Sequence, residues 1–146
     1  MNYFKAAEQV LAAAPTMVRA RENLERRKAR LAGKDCPRDI GALDYDKPFV
    51  DSHAANDALS DLLDYATVCR QLADTEAALQ LIDDILDQLE PEKATLLRLW
   101  YMDRLPKERI MERLYISSPK AVYSLRNRAV AEFALLWFGA DALHSI

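Results

Sequence analysis

Apolar residues recur at seven-residue intervals along two long stretches of this sequence, and this spacing constrains the fold more than any other feature. The first stretch has two such series, which are Tyr3, Val10, Met17, Leu24 and Leu31, and Ala6, Ala13 and Ala20. Residues at these intervals share one side of an α-helix. We therefore predict a helix over about residues 2–32. We expect Pro15 to split it, or to bend it near Ala14, because proline lacks an amide hydrogen and clashes with the preceding turn.

The second stretch predicts a longer helix, over about residues 53–89, with Asp51 or Ser52 as its N-cap. Its two series are Ala58, Tyr65, Leu72, Leu79 and Leu86, and Val68, Ile82 and Leu89. A loop over about residues 33–52, rich in Gly, Pro and Asp, connects the two helices. Because a long one-sided helix is not stable alone, we expect it to pair antiparallel with the first helix, with the same helix of another subunit, or with both.

The composition agrees with a helical chain, because only three glycines and six prolines occur in 146 residues. The expected fold class is therefore all-α, with a long antiparallel, coiled-coil-like helical arm over residues 1–89 and a second domain over residues 90–146. No apolar run is long enough to span a bilayer, and the first residues lack the pattern of a signal peptide. We expect a soluble, cytoplasmic protein without a membrane partner.

The charges are segregated along the chain, although the formal net charge is only −3. Residues 1–34 carry eight Lys/Arg and three Asp/Glu, residues 35–92 carry three and fifteen, and residues 93–146 carry nine and five. Attraction to phosphate is local over a Debye length of roughly 8 Å, so a basic terminal module can approach DNA despite an acidic middle. The finely mixed run RARENLERRKAR favours a solvated helix face over a phosphate-binding arm.

Three short helical segments with clear start signals follow in residues 90–146. Pro91 and Pro106 each open a segment, since proline is favoured in the first turn of a helix. Ser118 precedes Pro119, so its hydroxyl can accept a hydrogen bond from the free amides of a third helix. This succession is typical of a helix-turn-helix module. The residues predicted to face inward are Leu96, Leu97, Trp100 and Tyr101, then Ile110 and Leu114, then Val122, Leu125, Ala129, Phe133 and Leu136.

The run LEPEKATLLRLWYMDRLPKERIMERLYISSPKAVYSLRNRAV, residues 89–130, resembles region 4 of sigma-70-type transcription factors. The residues that match the three helices of that family are Leu97, Leu99 and Tyr101, then Ile110 and Leu114, then Ser118, Val122, Leu125, Arg128 and Ala129. The order of arm, linker, long helix and terminal module is similar to that of late transcriptional regulators of phages and prophages, of the ArpU and RinA type. The resemblance implies a three-helix, sigma-region-4-like module that binds double-stranded DNA.

In such modules the recognition helix, here starting near Pro119, lies in the major groove. The DNA-binding residues that the resemblance implies are Ser118, Pro119, Lys120, Tyr123, Ser124, Asn127, Arg126, Arg128, Arg109 and Arg113. Lys120 would donate to guanine O6 or N7, Ser124 would bond to several bases, and Tyr123 would meet a thymine methyl group or a phosphate. The arginines and Asn127 would hold phosphates.

The chain departs from the family pattern in the turn before this helix. Tyr115 stands where the family commonly has glycine, the residue that tolerates a positive φ without steric cost. The turn from Leu114 to Ser118 is one residue longer than usual, and Pro119 replaces a common arginine. The alternative function is a helical assembly or adaptor protein that binds protein partners without reading bases. The resemblance offers RNA polymerase as such a partner.

The sequence contains no pattern typical of a catalytic or metal site. His53 and His144 belong to no HExxH motif, and neither a phosphate-binding glycine loop nor a nucleophile elbow is present. Cys36, Cys69 and His53 do not have the spacing of a zinc site, so we expect reduced thiols. We therefore predict a protein that is not an enzyme and needs neither metal nor cofactor.

The last helical segment, FALLWFG, is apolar on nearly every side. One face is expected to enter the three-helix core. The other face must be covered by the long helices or by another subunit, since an exposed apolar patch of that size is unusual on a monomer.

Overall fold

The computed structural model describes residues 1–33 and 52–144, and the side chains of the second range from residue 56 onward. Every element in these ranges is helical, which confirms the all-α class. The elements are α1 (Tyr3–Gly33), α2 (Ser52–Gln88), α3 (Pro91–Leu97) with a π-helical turn (Arg98–Met102), α4 (Lys107–Leu114), α5 (Pro119–Phe138) and a 3₁₀ turn (Gly139–His144). The predicted connector, Cys36 and the side chains expected to cap α2 lie outside the described residues.

The chain divides into two compact units. The terminal unit contains Met1–Val18 and Ala78–Ile146, and the middle unit contains Arg19–Ala77. The start of α1 and the end of α2 thus belong to the same unit as the C-terminal helices, whereas the sequence prediction divided the chain between residues 89 and 90. Within the described residues, no helix has both the length and the apolar composition that a membrane span requires.

The start of α1 contributes three buried residues to the core of the terminal unit, Ala7, Leu11 and Ala14. The prediction named Ala6 and Ala13 instead, but Ala6 is half-buried and Ala13 is exposed. The predicted series omitted Leu11, and this residue decides which side of the helix faces inward. Ala7 and Ala14 lie four and three residues from Leu11 and therefore share its side of the helix.

Helix α1 continues without a break through Pro15, so the predicted split does not occur. Pro15 cannot donate to the carbonyl of Leu11, and it weakens the hydrogen-bond ladder in this turn. The guanidinium of Arg104 donates to the next carbonyl, that of Ala12, at 3.3 Å. This hydrogen bond connects Arg104 to α1 next to the turn that contains Pro15.

Helix α2 buries the predicted seven-residue series at most positions. Val68 and Leu72 are buried in the middle unit. In the terminal unit the buried members are Leu79, Ile82, Leu86 and Leu89. Tyr65 is half-buried and Ala58 is exposed, so the series is confirmed from Val68 onward.

A small second core lies between α3, α4 and α5, and its buried members are Leu96, Leu99, Ile110, Val122 and Leu125. The π-helical turn serves both cores, since Leu99 enters the second core while Tyr101 enters the first. The wide turn is closed by the amide of Asp103, which donates to the carbonyl of Arg98 at 2.9 Å. The sequence pattern predicted an ordinary α-helix here.

Helix α5 packs into both cores, with its first half in the second core and its second half in the first. Val122 and Leu125 face the second core, while Val130, Phe133 and Ala134 face the first. Rings at the end of α5 also contact α1, because the Phe138 and Tyr3 centroids are 5.1 Å apart. The prediction that Leu136 faces inward is wrong, since Leu136 is 40% exposed. The four-residue step from Phe133 brings Trp137 to the inward position instead, where the two rings stack at 5.8 Å.

Candidate nucleic-acid interface

Helix α4 ends in a left-handed turn that sets the direction of α5. Tyr115 has φ 55° and ψ 39°. The amide of Ile116 donates to the carbonyl of Met111 at 3.0 Å, and that of Tyr115 donates to the carbonyl of Glu112 at 3.4 Å. This pair of hydrogen bonds forms a Schellman motif. Tyr115 therefore occupies a backbone position that favours glycine, which is the residue expected there from the sequence resemblance.

Ser118 caps the N-terminus of α5, as its position before Pro119 predicted. Its backbone is extended, with φ −116° and ψ 127°, and its hydroxyl oxygen accepts from the amide of Ala121 at 3.4 Å. Pro119 is the first residue of the helix and lacks an amide hydrogen that would otherwise need a partner. The cap fixes where the helix begins and thus which side chains share its outer face.

The first turns of α5 present a polar face to solvent. Lys120, Ser124 and Asn127 are exposed, and Tyr123 is 42% exposed. These four residues follow three- and four-residue steps and therefore lie on one side of the helix. The prediction that they face outward is confirmed. Arg128 is also exposed and lies at the edge of this face, which we call the α5 face.

Helix α4 carries a basic strip and a separate acidic strip. Arg109 and Arg113 are exposed and four residues apart, so they share one side of the helix. Glu108 and Glu112 share another side. The closest approach between the strips is 3.9 Å, from Arg109 Nη1 to Glu112 Oε2, with both side chains 71% exposed. An ion pair this open is weak, so both arginines remain available to an external anion.

Arg126 differs from the other predicted phosphate ligands, because its guanidinium is already engaged within the chain. Its side chain is only 22% exposed, and Nη1 lies 3.6 Å from the Glu8 carboxylate of α1. Its guanidinium donates to Asn127 Oδ1 at 2.9 and 3.3 Å. It also lies over the Trp100 ring, with 4.9 Å from Cζ to the ring centroid. These contacts make Arg126 a structural residue in the free protein.

Tyr123 is held by three neighbours on the inner side of the α5 face. Its ring meets that of Trp100 edge to face, with centroids 5.6 Å apart. Lys107 Nζ lies 5.5 Å from its centroid, and Arg126 Cζ lies 5.7 Å from it. Cations over aromatic faces are attracted by the ring quadrupole. The ring therefore has a defined position although 42% of the residue is exposed.

Glu8 of α1 contacts both Tyr101 and Arg126. Its Oε1 accepts a hydrogen bond from the hydroxyl of Tyr101 at 3.0 Å and also faces Arg126. Burial, with a further contribution from the hydrogen bond to Glu8, raises the pKa of Tyr101 well above its ordinary value. Tyr101 therefore remains protonated, and a donor to Glu8, up to a higher pH than an ordinary tyrosine.

Comparisons with known proteins found no relative. A scan against protein-family models, a search of curated proteins and a search of solved structures each gave no match. The resemblance to sigma region 4 thus stays a prediction made from the sequence motifs.

Nine of the ten predicted DNA-binding residues are exposed, and the tenth, Arg126, is partly buried. Three residues outside the predicted set, Glu8, Trp100 and Lys107, contact Arg126 or Tyr123. Glu8 is the only acidic residue among the first 21, and this isolation in the sequence could have marked it as a residue of interest. Its partner was not visible, because Glu8 and Tyr101 are 93 residues apart in the sequence.

Proposed function

We propose that this protein is a DNA-binding transcriptional regulator of the phage or prophage type, and that α5 is its recognition helix. The observation that supports this most is the α5 face. A capped helix presents Lys120, Ser124 and Asn127 to solvent beside a half-exposed tyrosine ring. Side chains of this kind read base edges in the major groove.

Each residue has a proposed role in the complex. Lys120 donates to guanine O6 or N7, Ser124 bonds to a base edge, and Tyr123 contacts a thymine methyl group. Arg128, together with Arg109 and Arg113 of α4, neutralises phosphates and fixes the register of the helix, and Asn127 also binds a phosphate. Ser118 and Pro119 shape the N-terminus of the helix and lie next to the base-contacting residues.

The alternative function is an adaptor that binds a protein such as RNA polymerase. It is favoured by a shallow, mostly apolar surface groove lined by Glu108, Met111, Glu112, Tyr115, Ile116 and Ser117. Tyr115 is 96% exposed in this groove. The acidic rim repels phosphate, so this side of α4 suits a protein partner better than DNA. Regulation of transcription and contact with polymerase are compatible, because the groove and the α5 face use different residues.

The test is binding to duplex DNA from the protein's own genomic neighbourhood across a salt series. Lys120→Ala is compared with Lys5→Ala, which removes the same charge from an exposed position on α1. We expect affinity to fall steeply with salt, because phosphate binding releases counterions. Lys120→Ala should lower affinity for the preferred site by about 1–3 kcal/mol and relax its specificity, and Lys5→Ala should not. Absence of any DNA binding at low salt would leave the adaptor function.

A further inference from the structure

The contacts of Arg126 join the first helix of the chain to the proposed recognition helix. Glu8 of α1 faces the guanidinium at 3.6 Å, and the same guanidinium lies over the rings of Trp100 and Tyr123. All of these residues belong to the terminal unit. The group is half-buried, with 30% of the Glu8 side chain and 22% of the Arg126 side chain exposed. Ion pairs in such settings are less screened by salt than pairs on the open surface.

Glu8 itself is fixed from the other side by Tyr101. That residue lies in the π-helical turn, is 8% exposed, and donates its hydroxyl hydrogen to Glu8 Oε1 at 3.0 Å. The carboxylate thus has a defined position before it meets Arg126. At 3.6 Å the carboxylate attracts the guanidinium of Arg126 by charge, in a half-buried setting where this attraction is stronger than in water.

The pairing of Glu8 with Arg126 affects Tyr123, the side chain proposed to contact a thymine methyl group. Its ring is bounded by Trp100, Lys107 and Arg126, and Arg126 is paired with Glu8, a residue outside the three-helix module. Without the carboxylate the guanidinium would keep its hydrogen bonds to Asn127 Oδ1 but would lose the ion pair that draws it toward α1, and it would shift relative to the aromatic rings. The Tyr123 ring would then lose one of the contacts that orient it on the α5 face.

We propose that Glu8 is a positioning residue for DNA reading, which acts through Arg126 to hold the Tyr123 ring on the α5 face. The inference rests on the proposed function and deepens it, since it assigns part of the sequence specificity to the first helix of the chain. Arg126 then connects Glu8 to the Tyr123 ring within the protein, and the phosphates are bound by Arg109, Arg113 and Arg128.

The experiment compares Glu8→Gln with Glu22→Gln. Both substitutions remove one carboxylate from α1, so both raise the general attraction to DNA by the same charge, but Glu22 is exposed and lies in the middle unit. The first measurement is the aromatic ¹H–¹³C NMR spectrum of the free protein. The Tyr123 signals, which are shifted by the neighbouring Trp100 ring, should move in Glu8→Gln and stay in Glu22→Gln. Tyr115, at 96% exposure, is an internal reference.

The second measurement is the ratio of affinities for the preferred and a scrambled duplex. Glu8→Gln should lower this ratio about tenfold, the value of one lost base contact, while Glu22→Gln leaves it within about twofold of the wild type. Arg126→Gln removes the same ion pair from the other side and should lower the ratio as much. The double variant should lower it no further, because both changes break one interaction. Arg126→Gln also keeps the test available if Glu8→Gln does not fold.

Three results would overturn the inference. Tyr123 signals that stay in place would show that Glu8 does not position the ring. A specificity ratio that is unchanged although the signals move would show that the position of the ring does not matter for reading. Higher affinity of Glu8→Gln for both duplexes, beyond that of Glu22→Gln, would show that Arg126 is a phosphate ligand restrained by Glu8. If the wild type binds neither duplex, the proposed function itself fails, and the NMR result then decides the positioning contact alone.

Discussion

Replacing Tyr115 by glycine should stabilise the protein, and the backbone of the turn gives the size of the effect. Tyr115 has φ 55°, in the left-handed region, which costs an ordinary residue about 1–2 kcal/mol. Glycine removes this cost but gains freedom in the unfolded chain, which takes back about 0.4–1 kcal/mol. The tyrosine side chain is 96% exposed, so its removal loses almost no burial. Taking the middle of each range, we expect Tyr115→Gly to raise the free energy of unfolding by about 0.8 kcal/mol.

The assay is urea unfolding followed by tryptophan fluorescence, because Trp100 and Trp137 both lie in the terminal unit with Tyr115. With a slope of about 2 kcal/mol per molar urea, the midpoint should rise by roughly 0.3–0.5 M. Tyr115→Ala is the matched control, since it removes the ring and keeps the strained backbone. It should leave the midpoint almost unchanged. A lower midpoint for Tyr115→Gly would refute the reasoning and show that the ring stabilises the turn.

Three further substitutions test the cap, the core and the Glu8 contact. Ser118→Ala should lower stability by about 0.5–1 kcal/mol through loss of the cap, and Ser117→Ala should not. Phe133→Ala should cost about 3–5 kcal/mol because Phe133 is fully buried, whereas Leu136→Ala should cost far less, and equal effects in urea unfolding would contradict the assigned faces of α5. Because the pKa of Tyr101 is raised in the folded protein, its contribution to stability is complete below its ordinary value of 10.0 and is lost at higher pH. In unfolding measurements across pH 8–12, Tyr101→Phe should therefore lose less stability than the wild type above pH 10, and a parallel decline would contradict this.

The sequence predicted the features of this fold that depend on residues within a few positions of each other. Seven-residue spacing indicated α1 and α2, and proline and serine signals indicated where the later helices begin. The cap by Ser118 and the outward position of Lys120 followed from the sequence alone, because both depend on neighbours within one helical turn. The sequence also indicated the turn at Tyr115, because this residue stands where the family pattern commonly has glycine.

The remaining features depend on contacts between distant parts of the chain. The buried side of α1 is set by Leu11 packing into the terminal unit, and periodicity alone placed it one residue away. Trp137 stacks on Phe133 and Leu136 is exposed. Both residues are apolar and adjacent, so spacing alone could not predict which of them faces inward. The ion pair of Arg126 with Glu8 could not be predicted by spacing, because the two residues lie near opposite ends of the sequence.

The central claim is that α5 reads bases, and selection of bound duplexes from a random pool tests it most directly. The wild type should enrich one sequence motif. Lys120→Ala should enrich the same motif with the preference for one guanine relaxed, since that side chain is assigned to guanine O6 or N7. Lys5→Ala should enrich the wild-type motif. No enriched motif, or the same motif at every position with Lys120→Ala, would contradict base reading by this helix.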